Sequence, residues 1–589
     1  MKNHEVAELL RRIAELLEIK GELVFKIRAY EKAALVIENL EEDIEELWKQ
    51  GKLEEIPGVG EGLAKKISKY LEKGKLDYYE ELKKQIPVDM EELGRVSGLG
   101  PKTILKLYKK LNVKNIKDLE KAAKSHKIQN IEGLGQTVEQ NMLKSIEFAK
   151  TSGKRFLLGH ALDIAEELKS RIQKLNEVDK VEIAGSLRRM KETIGDIDIL
   201  ITSKNPAKVA DFFASMEDVK NVLAKGPTKS SVLLKEGIQA DLRVIEEKNY
   251  GAALLYFTGN KQHNIILRKI AIKKGMKLSE YGLFDKKTNN LLAGKTEEEC
   301  YKKLGLKYIE PEIREDEGEL KAAENNQLPT LIGYKDLKGD LQMHTNWSDG
   351  NNTILEMAEA AKKLGHEYIC ITDHAGESFK ITNSLNEKRI KQQRKEIDNI
   401  NNILEKQSFS GRRKSKAFSS EIKNITILQG GEVNIRDNGD LDLKNNVLKE
   451  LDIVLASIHS GFKNPKEKMT ARIIKAMENE HVDIIAHPTG RLINERPAYD
   501  IDFDKILDKA KETNTILEIN AYPERMDLND IRARAAIRHG IKLSIGTDSH
   551  DASQLRNYRL GVAIARRGWA EKKDIINSHP IKEMIKFLK

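Results

Sequence analysis

Hydrophobic residues change their spacing along the chain, and these changes divide it into regions with different predicted secondary structure. The first two regions carry apolar positions at helical spacing between Gly-containing turns, and each is predicted to be a small helical module. Strand and helix patterns then alternate, and a stretch without apolar periodicity predicts an exposed linker. The last region returns to short apolar runs, which are typical of buried parallel strands. The predicted boundaries are 1–85 and 86–149 for the helical modules, 150–248 and 249–315 for the mixed regions, 316–337 for the linker and 338–589 for the last region.

A turn suited to binding phosphate follows an apolar strand in the third region. Residues 181–184 are predicted to form a buried strand, and Gly185 gives the backbone the freedom to turn after it. Ser186 and Arg189 then supply hydrogen-bond donors of the kind that bind a polyphosphate. The stretch is therefore a candidate nucleotide-binding turn.

The strand predicted after this turn carries two carboxylates. Its period of two places Asp196 and Asp198 on one face and the apolar Ile197 and Ile199 on the other. Two carboxylates so close repel each other unless a divalent cation lies between them. Asp241, in a later strand-like stretch, adds a third acid, and three carboxylates can hold two Mg²⁺ ions for in-line phosphoryl transfer.

Residue types that bind metal ions recur at the ends of predicted strands in the last region. Parallel strands connected by helices place all their C-terminal ends at one face of a barrel, so side chains distant in sequence are expected to converge there. Five of the chain's 13 His residues lie at such ends. The candidate ligands are His344, Asp349, His374, Glu432, His459, His487, Asp548 and His550.

Two Gly-x-Gly turns precede predicted helices in the N-terminal modules. Gly58 and Gly60 form the first turn, and Gly98 and Gly100, followed by Lys102, form the second. This is the helix-hairpin-helix pattern, in which amides at a helix N-terminus bind a phosphate of the DNA backbone without reading sequence. A single such turn is more often a plain helix connector, but two copies favour DNA binding.

Charge and cysteine content agree with a nucleic-acid-binding protein of a reducing compartment. The chain has 589 residues, and its 102 Lys and Arg residues against 93 acids give a net charge of +9. Its two cysteines, Cys300 and Cys370, imply no disulfide framework. No apolar run approaches the length of a signal peptide core or a membrane span, so we expect a cytoplasmic protein without a membrane partner.

The phosphate-binding turn and the three acids that follow it resemble the palm of the family X DNA polymerases, the group that contains DNA polymerase beta. The resemblance implies that Gly185, Ser186 and Arg189 bind the triphosphate of a deoxynucleotide. It also implies that Asp196, Asp198 and Asp241 hold Mg²⁺ or Mn²⁺ as the catalytic ions. Region 150–248 would then be the palm and 249–315 the thumb.

The resemblance continues into a nucleotide pocket. Tyr256, Phe257 and Gly259 match the family's pocket motif, which implies that the two aromatic rings lie under the sugar. Asn264 and Arg268 fall where the family contacts the minor-groove side of the nascent pair and the template. Lys261 departs from DNA polymerase beta, which has an acid there, and a cation at this position is expected to strengthen nucleotide binding before template pairing.

The first module resembles the lyase domain of the same family through the stretch 25–33, which includes Lys26 and Tyr30. By that resemblance Lys66 falls at the lysine that attacks an abasic sugar. An amine must lose its proton to form a Schiff base, and like-charge repulsion from Lys65 and Lys26 would lower its pKa. The alternative is that Lys65 and Lys66 are solvated helix residues that contact phosphate.

The last region resembles the polymerase and histidinol phosphatase (PHP) domain, which bacterial and archaeal family X polymerases carry at the C-terminus. The implied fold is a distorted β/α barrel with up to three Zn²⁺ or Mn²⁺ ions that activate water against a phosphodiester. Gln342 stands where the family often has the first His of a pair, and an amide is a poorer ligand than imidazole. Arg436 and Arg491 are candidate clamps on the substrate phosphate, or else plain loop arginines. The Ser-, Lys- and Arg-rich stretch 408–420 is predicted to be a basic insertion between barrel elements.

Together these features predict a multidomain α/β enzyme with two active centres. The polymerase is expected to fill short gaps during base excision repair, using gapped or nicked duplex DNA and deoxynucleoside triphosphates, as a monomer. The PHP domain is expected to process 3′ ends as a 3′–5′ exonuclease or to cleave at abasic sites.

Two other functions compete with this interpretation. A non-templating nucleotidyltransferase with an attached phosphoesterase would not need a paired helix-hairpin-helix grip on duplex DNA. A DNA-binding scaffold with inert catalytic domains would not need three palm acids and eight candidate barrel ligands.

Overall fold

The computed structural model divides the chain into two compact units, Met1–Lys154 and Arg155–Lys589. It describes residues 2–38, 40, 44–86, 88–94, 96, 99–136, 138, 139, 142, 143, 146, 155–377, 383–409 and 425–589. Gly98 of the second predicted DNA-binding turn, the side chain of Lys102 and most of the predicted basic insertion lie outside the described residues. In the described part of the chain, no helix is both long and apolar enough to cross a membrane.

The first unit is helical, as its apolar spacing predicts. Its core is built from apolar residues on the inner faces of short helices, among them Leu10, Ile37 and Ile67. Gly21 and Gly74 end two of these helices in the left-handed conformation, which favours glycine. The helices are Asn3–Lys20, Val24–Glu38, Ile44–Lys49, Glu61–Lys73, Asp77–Gln85, Met90–Gly94, Pro101–Leu111 and Ile116–Lys124.

A mixed sheet forms the centre of the palm at the start of the second unit. Its described strands, in spatial order, are Val178–Ile183, Asp196–Ser203, Gln239–Val244, Lys229–Leu234 and Val219–Lys225. Only the second and third strands of this order pair in parallel. The helices Leu158–Gln173 and Pro206–Ala214 bury Leu162, Val209 and Phe213 against the sheet. This packing fixes the two strands that carry the predicted metal ligands.

The thumb follows the palm and packs around its own small core of Leu267, Tyr301 and Leu304. Its helices are Tyr250–Thr258, Lys261–Lys273 and Glu297–Lys303, and its antiparallel strands are Met276–Ser279, Gly282–Asp285 and Leu291–Ala293.

Residues 316–337 differ from the exposed linker that the sequence predicts. They contain the helix Glu319–Glu324, in which Glu319 and Leu320 are buried. The Glu319 carboxylate lies 2.7 Å from Nδ1 of the equally buried His263 in the thumb. The sequence around Glu319 is rich in acids and predicts exposure, but a partner 56 positions away allows this carboxylate to be buried.

The last region forms a nearly closed barrel of parallel strands, which confirms the predicted fold class. The described strands are Gly339–Asp340, Tyr368–Ile371, His374–Ala375, Thr426–Asn434, Ile453–Ser457, Ile484–Ile485, Ile516–Asn520 and Leu543–Gly546. A parallel bridge between Met343 and Ser549 joins the chain after the first strand to the chain after the last. The C-terminal ends of the strands therefore converge at one mouth.

Helices cover the outside of the barrel. Thr353 begins the helix Ile354–Lys363 with a reciprocal capping box to Glu356, which satisfies amides at the helix start. The other helices are Glu387–Phe409, Asn445–Leu448, Lys466–Met477, Phe503–Thr513, Asp530–His539, Tyr558–Arg567 and Ile581–Met584.

Ion pairs connect the barrel to the palm and thumb. Arg559 contacts Asp163 and Glu166 of the palm, at 2.6 and 2.7 Å. Arg566, on the same helix but buried, contacts Glu312 of the thumb at 2.8 Å. Arginine presents several donors in a rigid fork, which suits it to such carboxylate contacts.

Candidate active sites

Three carboxylates converge at one end of the palm sheet. In the parallel pair of central strands, Asp198 lies directly opposite Asp241, and Asp196 lies one pleat earlier on the same face. Burial and the nearby charges of Asp196 and Asp241 together raise the pKa of Asp198 to about 7. Such mutual repulsion is what a divalent cation relieves, so these residues fit the predicted pair of ions.

Asp241 is the most enclosed of the three acids. Its carboxylate accepts a hydrogen bond from Gln239 Nε2 at 2.7 Å and pairs with Lys229 Nζ at 2.9 Å. Neither partner was a candidate site residue from the sequence, because neither belongs to the palm motifs. Both partners hold the Asp241 carboxylate in place.

The predicted phosphate-binding turn lies against these acids. Gly185 has φ +66°, and a Cβ there would lie 2.6 Å from Asp198 Oδ2. Glycine is required at this position for two reasons. The positive φ would strain any residue with a side chain, and a Cβ would displace the Asp198 carboxylate. Ser186 and Arg188 continue the turn as the short helix Gly185–Arg188.

The arginines of the turn are held by thumb carboxylates. Arg188 makes two hydrogen bonds to Glu297, at 2.9 and 2.7 Å, and Glu297 also accepts one from Arg314 at 2.6 Å. Arg189 Nε donates to Glu315 Oε1 at 3.0 Å, and its Nη1 donates to the carbonyl of Thr258. The acids Glu297 and Glu315 were not candidates, because they lie more than 100 residues from the turn.

The predicted nucleotide-pocket residues lie next to one another in the thumb. The rings of Tyr256 and Phe257 meet edge to face, with centroids 5.1 Å apart. Asn264 Nδ2 donates to the carbonyl of Tyr256 at 2.7 Å, and Arg268 Nε donates to the carbonyl of Asn264 at 3.3 Å. Asn264 therefore fixes the end of the helix that carries the aromatic pair.

Two further pocket residues border this group. Gly259 has φ +69°, and a Cβ there would lie 3.2 Å from Arg189 Nη1. The pocket motif and the phosphate-binding turn are thus in contact. Lys261 is the first residue of the helix Lys261–Lys273 and is exposed.

The barrel mouth brings the predicted metal ligands together in overlapping groups. Within each group, ligand atoms lie within 4.8 Å of one another. The groups are His344, Asp349, His374 and His550; His374, Glu432 and His459; and His344, Glu432 and Asp548. Such sets of imidazole and carboxylate donors suit Zn²⁺ or Mn²⁺.

Glu432 is the centre of the cluster. It is buried, and His344, His374, His459 and His487 each place a ring nitrogen 2.8–3.4 Å from its carboxylate. Burial would raise the pKa of Glu432, but His374 and His459 lower it well below its usual range. Among the described residues, the buried Nδ1 atoms of His344 and His487 have no hydrogen-bond partner. Imidazole nitrogens left in this way are available to a metal ion.

Gln342 lies on the inner side of this cluster, against a carboxyl group that the sequence did not single out. Its amide nitrogen donates to Glu518 Oε2 at 2.9 Å. Burial raises the pKa of Glu518 well above its usual range, and the charges of Asp548 and Glu432 raise it further. Asn520 Nδ2 donates to Glu518 Oε2 at 3.3 Å and to Asp548 Oδ2 at 3.1 Å. Asn520 therefore connects Glu518 to a candidate ligand.

The two predicted phosphate clamps have other partners. Arg436 makes hydrogen bonds of 2.9 and 2.7 Å to Asp442. Arg491 pairs with Glu192 of the palm at 2.7 Å and donates to the carbonyl of Arg525. The guanidinium of Arg525 instead lies beside the metal cluster, with Nε 3.4 Å from Asp548 Oδ2. No sequence motif distinguished Arg525.

The first predicted DNA-binding turn precedes a helix. Gly58 has φ +89°, and Gly60 is the residue before the helix Glu61–Lys73. Gly100 likewise precedes the helix Pro101–Leu111. In both places a glycine leaves the helix N-terminus open to a phosphate.

Lys66 lies on the first of these helices. Its ammonium is 5.0 Å from the ring centroid of Tyr78 and 6.0 Å from that of the buried Tyr30. Burial lowers the pKa of Lys66, and Lys26 and Lys69 lower it further. The predicted neighbour Lys65 instead pairs with Glu61.

Comparisons with known proteins connect these sites to described families. Family profiles match a helix-hairpin-helix domain at residues 1–76, a SAM-like helix-hairpin-helix tandem at 90–147, the DNA polymerase beta palm at 160–273, the DNA polymerase beta thumb at 253–315 and a PHP domain at 340–522. The DNA polymerase/3'-5' exonuclease PolX of Bacillus subtilis (strain 168) is 39% identical over 591 residues, which cover 100% of both chains. A probable phosphatase of Thermoanaerobacter sp. (strain X514) is 31% identical over 261 residues, 42% of this chain and 94% of that protein.

The pairing of Glu297 with two arginines generates a prediction about acid stability. Burial would raise the pKa of Glu297, but Arg314 and Arg188 lower it to about 2. Because the folded-state pKa is below the unfolded value, the stabilisation is complete above about pH 4.5 and is lost as the pH falls toward 2. We expect Glu297→Gln to lower the free energy of unfolding by about 3 kcal/mol at pH 7 and by much less at pH 3. Urea denaturation at several pH values measures this difference, and a difference that is the same at pH 7 and pH 3 would contradict the assignment.

Proposed function

The chain belongs to the family X DNA polymerases that carry a C-terminal PHP domain, and from this we propose that it extends DNA at the palm and removes 3′ nucleotides at the barrel. The observation that carries the proposal is the presence of two separate sites suited to metal ions in one chain. One site is built from carboxylates and the other mainly from imidazoles. The relative that matches over its full length is named for both activities.

In the proposed polymerase reaction, the residues of the palm and thumb orient the nucleotide. Two Mg²⁺ or Mn²⁺ ions bound by Asp196, Asp198 and Asp241 would supply charge stabilisation for in-line phosphoryl transfer. Ser186 and Arg189 hold the triphosphate, since they lie on the turn that touches Asp198. Tyr256 and Phe257 support the sugar.

In the proposed exonuclease reaction, the barrel mouth holds the 3′ end. Bound Zn²⁺ or Mn²⁺ ions, up to three, would activate water against the terminal phosphodiester. Glu432 orients the rings of four histidines around itself, and Arg525 binds the phosphate from the side of Asp548. Arg525 takes the role that the sequence prediction gave to Arg436 and Arg491.

The substrate that fits both sites is gapped or nicked duplex DNA. The paired helix-hairpin-helix modules support binding of the backbone on duplex DNA. We therefore infer that the chain fills short gaps during base excision repair. We also propose that it acts as a monomer in the cytoplasm. A non-templating transferase would have no use for these modules, and an inert scaffold no use for a complete set of palm acids.

A 5′-deoxyribose phosphate lyase activity of the first unit is a second candidate function. The observation in its favour is Lys66, whose ammonium lies against two tyrosine rings and whose pKa is lowered by burial and by neighbouring lysines. A lowered pKa increases the neutral amine fraction that forms a Schiff base.

The polymerase assignment predicts that Asp198→Asn abolishes gap filling and leaves the exonuclease active. An amide cannot supply the anionic ligand, so we expect at least about a hundredfold loss of nucleotide incorporation. Labelled one-nucleotide-gapped DNA, incubated with and without deoxynucleotides, reports both reactions. Asp211→Asn, which changes an exposed palm acid paired with Lys225, is the matched control. Incorporation by Asp198→Asn at a substantial fraction of the parent rate would refute the assignment.

The exonuclease assignment predicts the opposite separation for His459→Ala. Alanine has no donor to a metal ion, so 3′–5′ degradation should fall by about a hundredfold while primer extension continues. His539→Ala, a change of a partly exposed histidine on an outer helix, is the control. Loss of both activities would indicate a structural role, and full nuclease activity would place the chemistry elsewhere.

The lyase candidate predicts a covalent adduct at Lys66. Borohydride reduction in the presence of DNA with a 5′-deoxyribose phosphate should trap the parent chain and Lys65→Ala but not Lys66→Ala. Trapping efficiency should persist below neutral pH further than for an ordinary lysine, because the pKa is lowered. Equal trapping of all three proteins would rule out Lys66 as the nucleophile.

A further inference from the structure

Glu315 of the thumb lies where the phosphate-binding turn, the nucleotide-pocket helix and the barrel meet. Its Oε1 accepts the hydrogen bond from Arg189, and its Oε2 accepts one from Asn260 Nδ2 at 3.0 Å. Asn260 in turn caps the helix Lys261–Lys273, which carries Asn264 and Arg268. The side chain of Glu315 is only 14% exposed, so its charge needs a permanent partner.

Arg567 of the barrel provides a second cation for the same carboxylate oxygen. It ends the helix Tyr558–Arg567, is 5% exposed, and donates from Nη1 to Glu315 Oε1 at 3.1 Å. The same Nη1 donates to the backbone carbonyl of Arg189 at 2.9 Å, and Nη2 pairs with Asp530 of the barrel. A barrel side chain thus contacts both the phosphate-binding turn and its counter-ion.

Arg189 has to exchange partners when it binds a triphosphate. Leaving Glu315 removes one of two cations from Oε1 of a largely buried carboxylate. With Arg567 present, that oxygen keeps a charged partner after Arg189 has left. Without Arg567, Oε1 would lose both, and the carboxylate would keep only Lys191 as a charged partner, with Nζ 3.8 Å from Oε2. Losing the close partners of a largely buried charge is costly.

We propose that Arg567 of the PHP domain is a positioning residue for nucleotide binding at the polymerase site, because it holds Glu315 and so releases Arg189 to the triphosphate. The proposal rests on the polymerase function proposed above. It assigns the barrel a role in the affinity of the polymerase for deoxynucleotides, separate from its nuclease chemistry. Arg567 does not touch the reacting atoms and acts through Glu315 and the turn.

The test is the steady-state kinetics of single-nucleotide incorporation on one-nucleotide-gapped DNA, using the full chain. Arg567→Met removes the charge with little change in length, and we expect KM for the deoxynucleotide to rise about tenfold while kcat stays within about twofold. Arg567→Lys keeps the charge but cannot reach Glu315, Asp530 and the carbonyl of Arg189 together, so its KM should rise about threefold. Loss of binding equal in ground and transition states raises KM alone.

Arg566→Met is the matched control, because Arg566 is the preceding residue, is similarly buried and also pairs with a thumb carboxylate, that of Glu312. Its KM should equal that of the parent. The exonuclease rate and the melting temperature of each variant report folding. If Arg567→Met does not fold, Arg567→Lys decides.

Three results would overturn the proposal. They are a parental KM in every Arg567 variant that folds, an equal rise of KM in Arg566→Met, and a fall of kcat with unchanged KM. A parent chain that incorporates no nucleotide would refute the polymerase function itself, and this outcome is distinct from the other three.

Discussion

The structure of the second unit depends on pairing between arginines and buried carboxylates at the junction of palm, thumb and barrel. Glu297 is held by Arg188 and Arg314, Glu315 by Arg189 and Arg567, and Glu312 by Arg566. Burying any of these carboxylates without a partner would be costly, so the burial of each depends on its arginine. The turn that carries Arg188 and Arg189 is therefore fixed by residues of all three parts.

In both proposed active sites, parallel strand pairing brings candidate metal ligands together, but the types of donor differ. In the palm, parallel pairing of two strands sets Asp198 opposite Asp241. In the barrel, parallel pairing of two strands sets His374 opposite Glu432, and further donors surround the mouth. Carboxylates at close range suit hard cations such as Mg²⁺, whereas imidazoles with a few acids suit Zn²⁺ or Mn²⁺. The proposed polymerase and exonuclease sites therefore differ in the kind of metal ion that their donors suit.

The parts of the fold and sites that followed from the sequence are those with local patterns. Period two placed Asp196 and Asp198 on one face, and short apolar runs ending in His predicted the barrel, because both signals lie within a few residues. Glu315, Glu518 and Arg525 were missed because their roles depend on partners far along the chain. The prediction of an exposed linker was wrong for the same reason, since the partner of Glu319 is His263 in the thumb.

Separating the palm and thumb from the barrel would require breaking several of these buried contacts at once. Arg566 contacts Glu312, and Arg567 contacts both Glu315 and the phosphate-binding turn. Buried charges lose far more from being left unpaired than exposed ones do, so we expect palm, thumb and barrel to remain one unit during the reaction. In that case a 3′ end that leaves the polymerase site must itself travel to the barrel mouth. The transfer would then be a movement of the DNA end, and not of one domain against the other.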